Sequence, residues 1–137
     1  MSVQSNVEVH TEWGIVSARQ AGRNLAKELG FSSVDQARIT TAISELARNI
    51  YLYAEKGEII IESVERMQST GRKKGIKITA KDEGPGIKNI RQVMEDGFTT
   101  SGGLGAGLPG VKRLMDEFDI DSIAGEGTEI TTIKWNS

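Results

Sequence analysis

The chain has 137 residues, enough for one hydrophobic core but short for two. Seventeen basic against nineteen acidic residues give a formal charge of −2, so no basic excess points to nucleic acid or an anionic membrane, and the absence of cysteine excludes a disulfide, a thiolate nucleophile and a cysteine-zinc site. No apolar run approaches the roughly 20 residues of a membrane span and no apolar core follows the initial methionine, so the expectation is a single cytoplasmic domain over residues 1–137.

Val7 and Val9 alternate with Glu8 and His10, which predicts a short strand over Asn6–Thr11. From Trp13 to Leu29, Ile15, Ala18, Gly22, Leu25, Ala26 and Leu29 repeat with helical spacing, and Gly30 stops the pattern. Ser33 followed by Gln36 reads as a capping box opening a second helix, through about Ala54. Gly57–Glu65 and Gly75–Asp82 read as strands joined by a polar hairpin over Met67–Lys74. A turn, Asp82-Glu83-Gly84-Pro85-Gly86, precedes a weaker helical pattern through Ile90, Val93, Met94 and Phe98. The glycine-rich stretch Gly102–Gly110 leads into a helix ending near Glu117, and Phe118–Ala124 and Thr128–Trp135 close the chain as strands around a Gly125–Gly127 turn. The order β-α-α-β-β-loop-α-β-β predicts an α+β two-layer sandwich, with a mixed, mostly antiparallel sheet covered by helices on one face.

Three clusters carry chemistry. On the second helix Ile39, Ile43, Leu46 and Ile50 share a face, Tyr53 extends it, and Glu45 and Asn49 lie roughly 40° apart along its border. They read either as a solvated pair or as polar groups held beside the core; asparagine is a poor helix-interior residue. The Asp82–Ile87 segment follows an apolar strand. Its Gly and Pro suit a tight turn, and equally a flat ligand lying on bare backbone while the carboxylate accepts from an amino group such as that of adenine. The third cluster, Ser101–Gly110, is a flexible linker or a phosphate cradle, because unpaired amides at a helix start attract anions and Pro109 is compatible with a first turn. Gly105-Ala106-Gly107-Leu108-Pro109-Gly110 matches G-x-G-x-x-G, but no apolar strand precedes it, as a dinucleotide site requires. No Lys-Ser or Lys-Thr follows the glycines, which excludes a Walker loop, and the protein-kinase signatures His-Arg-Asp and Asp-Phe-Gly are absent.

Taken together, Glu45-x-x-x-Asn49, Asp82-x-Gly84-x-Gly86 and Gly103-x-Gly105-x-Gly107 resemble the N, G1 and G2 boxes of the GHKL (Bergerat-fold) ATPases and kinases, and Gly127-Thr128 resembles the family's terminal Gly-Thr. Length and wording around the boxes look most like the switch kinases of the bacterial stressosome. The resemblance implies an ATP- and Mg²⁺-dependent serine/threonine protein kinase with Glu45 as general base and Asn49 as the magnesium ligand. Asp82 would bond the adenine amine, directly and through a water shared with Thr128, over a floor of Gly84, Gly86 and Ile87. Gly103, Leu104, Gly105, Ala106, Gly107 and Leu108 would wrap the phosphates, with Thr99 and Thr100 touching phosphates or metal, and Lys88–Gly102 would form a lid. From Gln92 to Val111 there is no Lys or Arg. The triphosphate would therefore rely on Mg²⁺, amides and Arg48, Lys112 or a partner.

The implied partners are STAS-domain scaffold and antagonist proteins as substrates and a PP2C-type phosphatase that is activated on release. The alternative is a nucleotide-gated binding module of the anti-sigma-factor kind. A histidine autokinase is disfavoured, since the sole histidine, His10, falls on an expected strand. The first helix around Arg19 and Arg23 reads either as a docking face or as a solvated one, with the solvated face favoured.

Overall fold

Alternation along five strands decides which side of the sheet meets the helices. The computed structural model describes residues 4–54, 56–84, 107–123 and 125–136. In chain order it has β1 (Gln4–Val9), α1 (Glu12–Glu28), α2 (Ser33–Tyr53), β2 (Gly57–Gln68), β3 (Gly71–Asp82), α3 (Gly107–Leu114), β4 (Glu117–Ile123) and β5 (Gly127–Asn136). The strands lie in the order β1-β2-β3-β5-β4, and every ladder among the described residues is antiparallel. The expected α+β sandwich is present, and among the described residues its sheet is antiparallel rather than mixed.

One face carries Val9, Ile59, Ile61, Ile76, Ile78, Ala80, Ile130 and Thr132, all buried. Against it α1 and α2 bury Ala18, Leu25, Ala26, Ile39, Ala42, Ile43, Leu46, Ala47 and Ile50, so the helical stripes and the strand alternation meet in one core. Removing each of these large aliphatic side chains from water contributes about 1.5–3 kcal/mol. The opposite face is charged, with Glu58, Glu62, Lys77, Lys81, Asp119 and Glu129 along it. Thr40 and Ser44 are tolerated inside α2 because each hydroxyl donates back to a carbonyl of the preceding turn, Gln36 and Thr40 respectively.

Several boundaries differ from the sequence expectation. The cap of α2 is Ser32, not Ser33: the Asp35 amide donates to Ser32 Oγ at 3.2 Å, and Gln36 instead donates to the Phe31 carbonyl at 2.8 Å. The expected Met67–Lys74 loop is mostly strand, with β2 and β3 pairing out to Gln68 and Gly71. The indole of Trp135 explains the extension. Its ring covers Gly75, Arg66 and Lys73 each lie 4.7 Å from its centroid, and its Nε1 donates to Glu117, which also pairs with Arg66 at 3.0 Å. Helix α3 ends at Leu114 rather than near Glu117, because the Asp116 amide donates to the Ile133 carbonyl and its carboxylate accepts from the Trp135 amide, drawing the chain into β4. Tyr53 does not extend the buried stripe of α2; it is 40% exposed. Arg19 and Arg23 are exposed.

Candidate functional site

The sheet's register brings one row of residues to the end where α2 finishes. On the helix side, Gly57, Asp82, Thr128 and Ser122 follow one another across β2, β3, β5 and β4. Asp82 is half-buried, and its Oδ1 accepts the Gly84 amide at 2.9 Å, a local turn that fixes the carboxylate's direction. The other carboxylate oxygen has no hydrogen-bond partner among the described residues.

Two glycines make this corner possible. A Cβ on Gly84 would lie 2.7 Å from Ala54 Cβ and 2.8 Å from its Cα, so the turn after β3 rests on the end of α2 with no room for a side chain. A Cβ on Gly127 would overlap the Asp82 carbonyl oxygen, and its φ of +140° is one that glycine adopts freely. Together they press Asp82 between α2 and β5.

Helix α2 presents the second group. Glu45 and Asn49 are both half-buried and stand one turn apart, about 6 Å along the axis, beside the fully buried Leu46 and Ile50. Among the described residues neither has a hydrogen-bond or ion-pair partner, and Arg48 pairs with no carboxylate. Helix α3 begins at Gly107, φ +67°, with Leu108 and Val111 buried against the core. It packs against α2. Its first turn holds no acidic residue, and Lys112 and Arg113 lie in its last.

Among the described residues, Glu45 and Asn49 lie on α2, Asp82 ends β3 with Gly84 in the turn after it, Gly107 and Leu108 open α3, and Thr128 lies on β5 beside Asp82. Gly86, Ile87, Thr99, Thr100, Gly103, Leu104, Gly105, Ala106 and the expected lid 88–102 lie outside the described residues. One neighbour of Thr128 was not singled out in the sequence. Ser122 Oγ lies 2.8 Å from Thr128 Oγ1 and 3.0 Å from the Gly127 carbonyl oxygen. The available signal was two hydroxyl residues facing each other across a short hairpin.

A family model, the histidine kinase-like ATPase domain, matches residues 12–134. The chain is 72% identical over 135 residues to the serine/threonine-protein kinase RsbT of Bacillus subtilis (strain 168), covering 98% of each chain. It is 31% identical over 121 residues to an anti-sigma F factor of Thermoanaerobacter sp. (strain X514), covering 86% of this chain and 82% of the relative. A crystal structure of the RsbU and RsbW domains of a Mycobacterium tuberculosis protein superposes with a TM-score of 0.63 at 18% identity, over 100% of this chain and 33% of that longer one, a likeness of fold. No helix among the described residues is long and apolar enough to cross a membrane. The chain belongs to the histidine kinase-like ATPase domain family, and within it to the RsbT-type serine/threonine-protein kinases.

Proposed function

We propose that this kinase transfers the ATP γ-phosphate to a serine or threonine of STAS-domain partners in a stress-signalling switch, and activates a PP2C-type phosphatase when released from them. The observation that carries the reading is the corner at the end of α2: a carboxylate oriented by its own turn, paired across the sheet with Thr128 and lying under glycine backbone. A flat base with an exocyclic amine suits that corner, because Asp82 offers acceptors and Gly84 offers surface without a side chain. The partners' identity follows from the resemblance to stressosome switch kinases.

Asn49 suits a magnesium ligand. Mg²⁺ takes only one or two oxygens from a protein of this kind and fills its remaining positions with phosphates and water, so Asn49 needs no acidic cluster around it; none is present among the described residues. Bound there, the ion would supply charge neutralisation for the triphosphate. Glu45, one turn earlier, accepts the proton of the attacking hydroxyl as its oxygen forms the new bond to phosphorus and the β–γ bridge breaks. The N-terminal amides of α3 with the preceding glycines hold the phosphate oxygens, and Arg48 or Lys112 contributes positive charge.

The test is labelled ATP with Mg²⁺ and a STAS-domain partner. Glu45→Ala is expected to keep ADP affinity and to lose about 10²–10⁴-fold in transfer rate; transfer at the wild-type rate would show that Glu45 is not the base. Asn49→Ala and Asp82→Asn are expected to weaken binding itself. The likeness to anti-sigma F factors favours one second reading, a nucleotide-gated binding module with little turnover. Docking that persists with no label on the partner at any time would establish it.

A further inference from the structure

We propose that Arg48 docks the protein substrate: its guanidinium donates to oxygen atoms of the segment that carries the acceptor serine or threonine, rather than to the triphosphate. This role rests on the kinase reading above and deepens it. Of the two cations named there, it leaves Lys112 for the phosphates.

The assignment starts from the order of side chains around α2. Ile39, Ile43, Leu46 and Ile50 are buried and mark the core side of the helix. At about 100° per residue, Asn49 stands roughly 90° from the middle of that stripe, Glu45 roughly 130°, and Arg48 nearly opposite it. Glu45 therefore lies between the other two, with Asn49 toward the core and Arg48 toward the outside of the molecule.

That order matches the direction of the reaction. A phosphoryl group passes between attacking and leaving oxygens that lie roughly in line. The leaving side belongs to the nucleotide and to Asn49, and the attacking side to the hydroxyl that gives its proton to Glu45. Continuing from Asn49 past Glu45 reaches Arg48, where the partner's chain enters. An arginine serving the triphosphate would belong on the Asn49 side of Glu45.

The same helix holds an internal comparison. Asp35 and Arg38, an acid followed three residues later by arginine, pair at 2.9 Å. Glu45 and Arg48 have the same spacing and order, yet no ion pair joins them, and Arg48 has no partner among the described residues. The guanidinium is half-buried with its donors uncommitted, and the Glu45 carboxylate stays open for a proton. A planar fork of this kind loses little freedom for each hydrogen bond it forms, which suits it to the carbonyl or carboxylate oxygens of a docked segment.

The experiment measures phosphotransfer from labelled ATP at saturating ATP and varied STAS-domain partner, for the wild type, Arg48→Ala, Arg48→Gln and Arg48→Lys, with ATP and ADP affinities taken by calorimetry with magnesium. Arg48→Ala is expected to raise KM for the partner about ten- to a hundredfold, with kcat within about threefold and both nucleotide affinities within about twofold of the wild type. Arg48→Gln keeps the stem of the side chain and is expected to behave as Arg48→Ala does, should the alanine variant fail to fold. Arg48→Lys, a point charge without the fork, is expected to recover part of the loss. An unchanged KM overturns the inference and leaves the kinase reading intact, and so does a loss of ATP affinity that exceeds the loss of ADP affinity, which would return Arg48 to the γ-phosphate. A folded wild type that transfers no label to the partner overturns both.

Discussion

The contact between Gly84 and Ala54 can be tested with a single methyl group. In Gly84→Ala the new carbon would start 2.7 Å from Ala54 Cβ and 2.8 Å from Ala54 Cα, and one of those atoms belongs to the backbone. Ordinary contact begins near 3.4 Å, so the turn and the end of α2 must part by at least about 0.7 Å. Overpacking of this kind costs about 1–3 kcal/mol of stability. The displacement also acts on the site. It stretches the 2.9 Å bond from the Gly84 amide to Asp82 Oδ1 beyond hydrogen-bonding range and releases the carboxylate. A bond to a charged group contributes about 1.5–3 kcal/mol, so ADP affinity is expected to fall about ten- to a hundredfold. The assay is ADP titration well below the unfolding midpoint, with urea unfolding run in parallel. Gly71→Ala supplies the control. Gly71 has a φ of +125° and nothing within 4 Å of the point where a methyl group would sit, so alanine there strains the backbone at the far end of β3 without touching the site. A folded Gly84→Ala that binds ADP within about twofold of the wild type would refute the reasoning.

Two further outcomes follow from the described contacts. Ser32→Ala is expected to cost about 0.5–2 kcal/mol of stability by removing the cap of α2, whereas Ser33→Ala stays within about 0.5 kcal/mol; urea unfolding of the pair distinguishes them, and the reverse order would move the cap. The hydrogen bonds from Arg66 and then from Trp135 hold the Glu117 carboxyl below its ordinary value. A lowered folded-state value means the native protein binds fewer protons than the unfolded chain, so this contribution is complete above the ordinary carboxylate value and is lost as pH falls through the lowered one. The stability gap between the wild type and Glu117→Gln should therefore narrow on acidification, and a gap independent of pH would show that the charge at Glu117 does not matter.

What the sequence disclosed and what it withheld divide along the range of the interactions. The stripe Ile39, Ile43, Leu46 and Ile50 was legible because helical period and burial report the same geometry, and all four are buried. The ends of elements were not, because they depend on distant partners. Ser32-x-x-Asp35 and Ser33-x-x-Gln36 are equivalent as local patterns; what separates them is that Gln36 is taken by the Phe31 carbonyl. The basic stretch from Arg66 to Lys74 has the composition of a loop, yet it pairs as strand because Trp135, far along the chain, spreads its ring over Gly75 with Arg66 and Lys73 on it.

The site follows the same rule. Asp82 and Thr128 carried motif signals, but their adjacency is a property of register, and register is what recruits Ser122 into the same row. A serine alternating within a strand carries no local mark of a role. Only once β4 lies beside β5 does its hydroxyl meet another at 2.8 Å. A motif can therefore name candidate residues, while the neighbours that meet them become visible only through the pairing of strands that the motif does not contain.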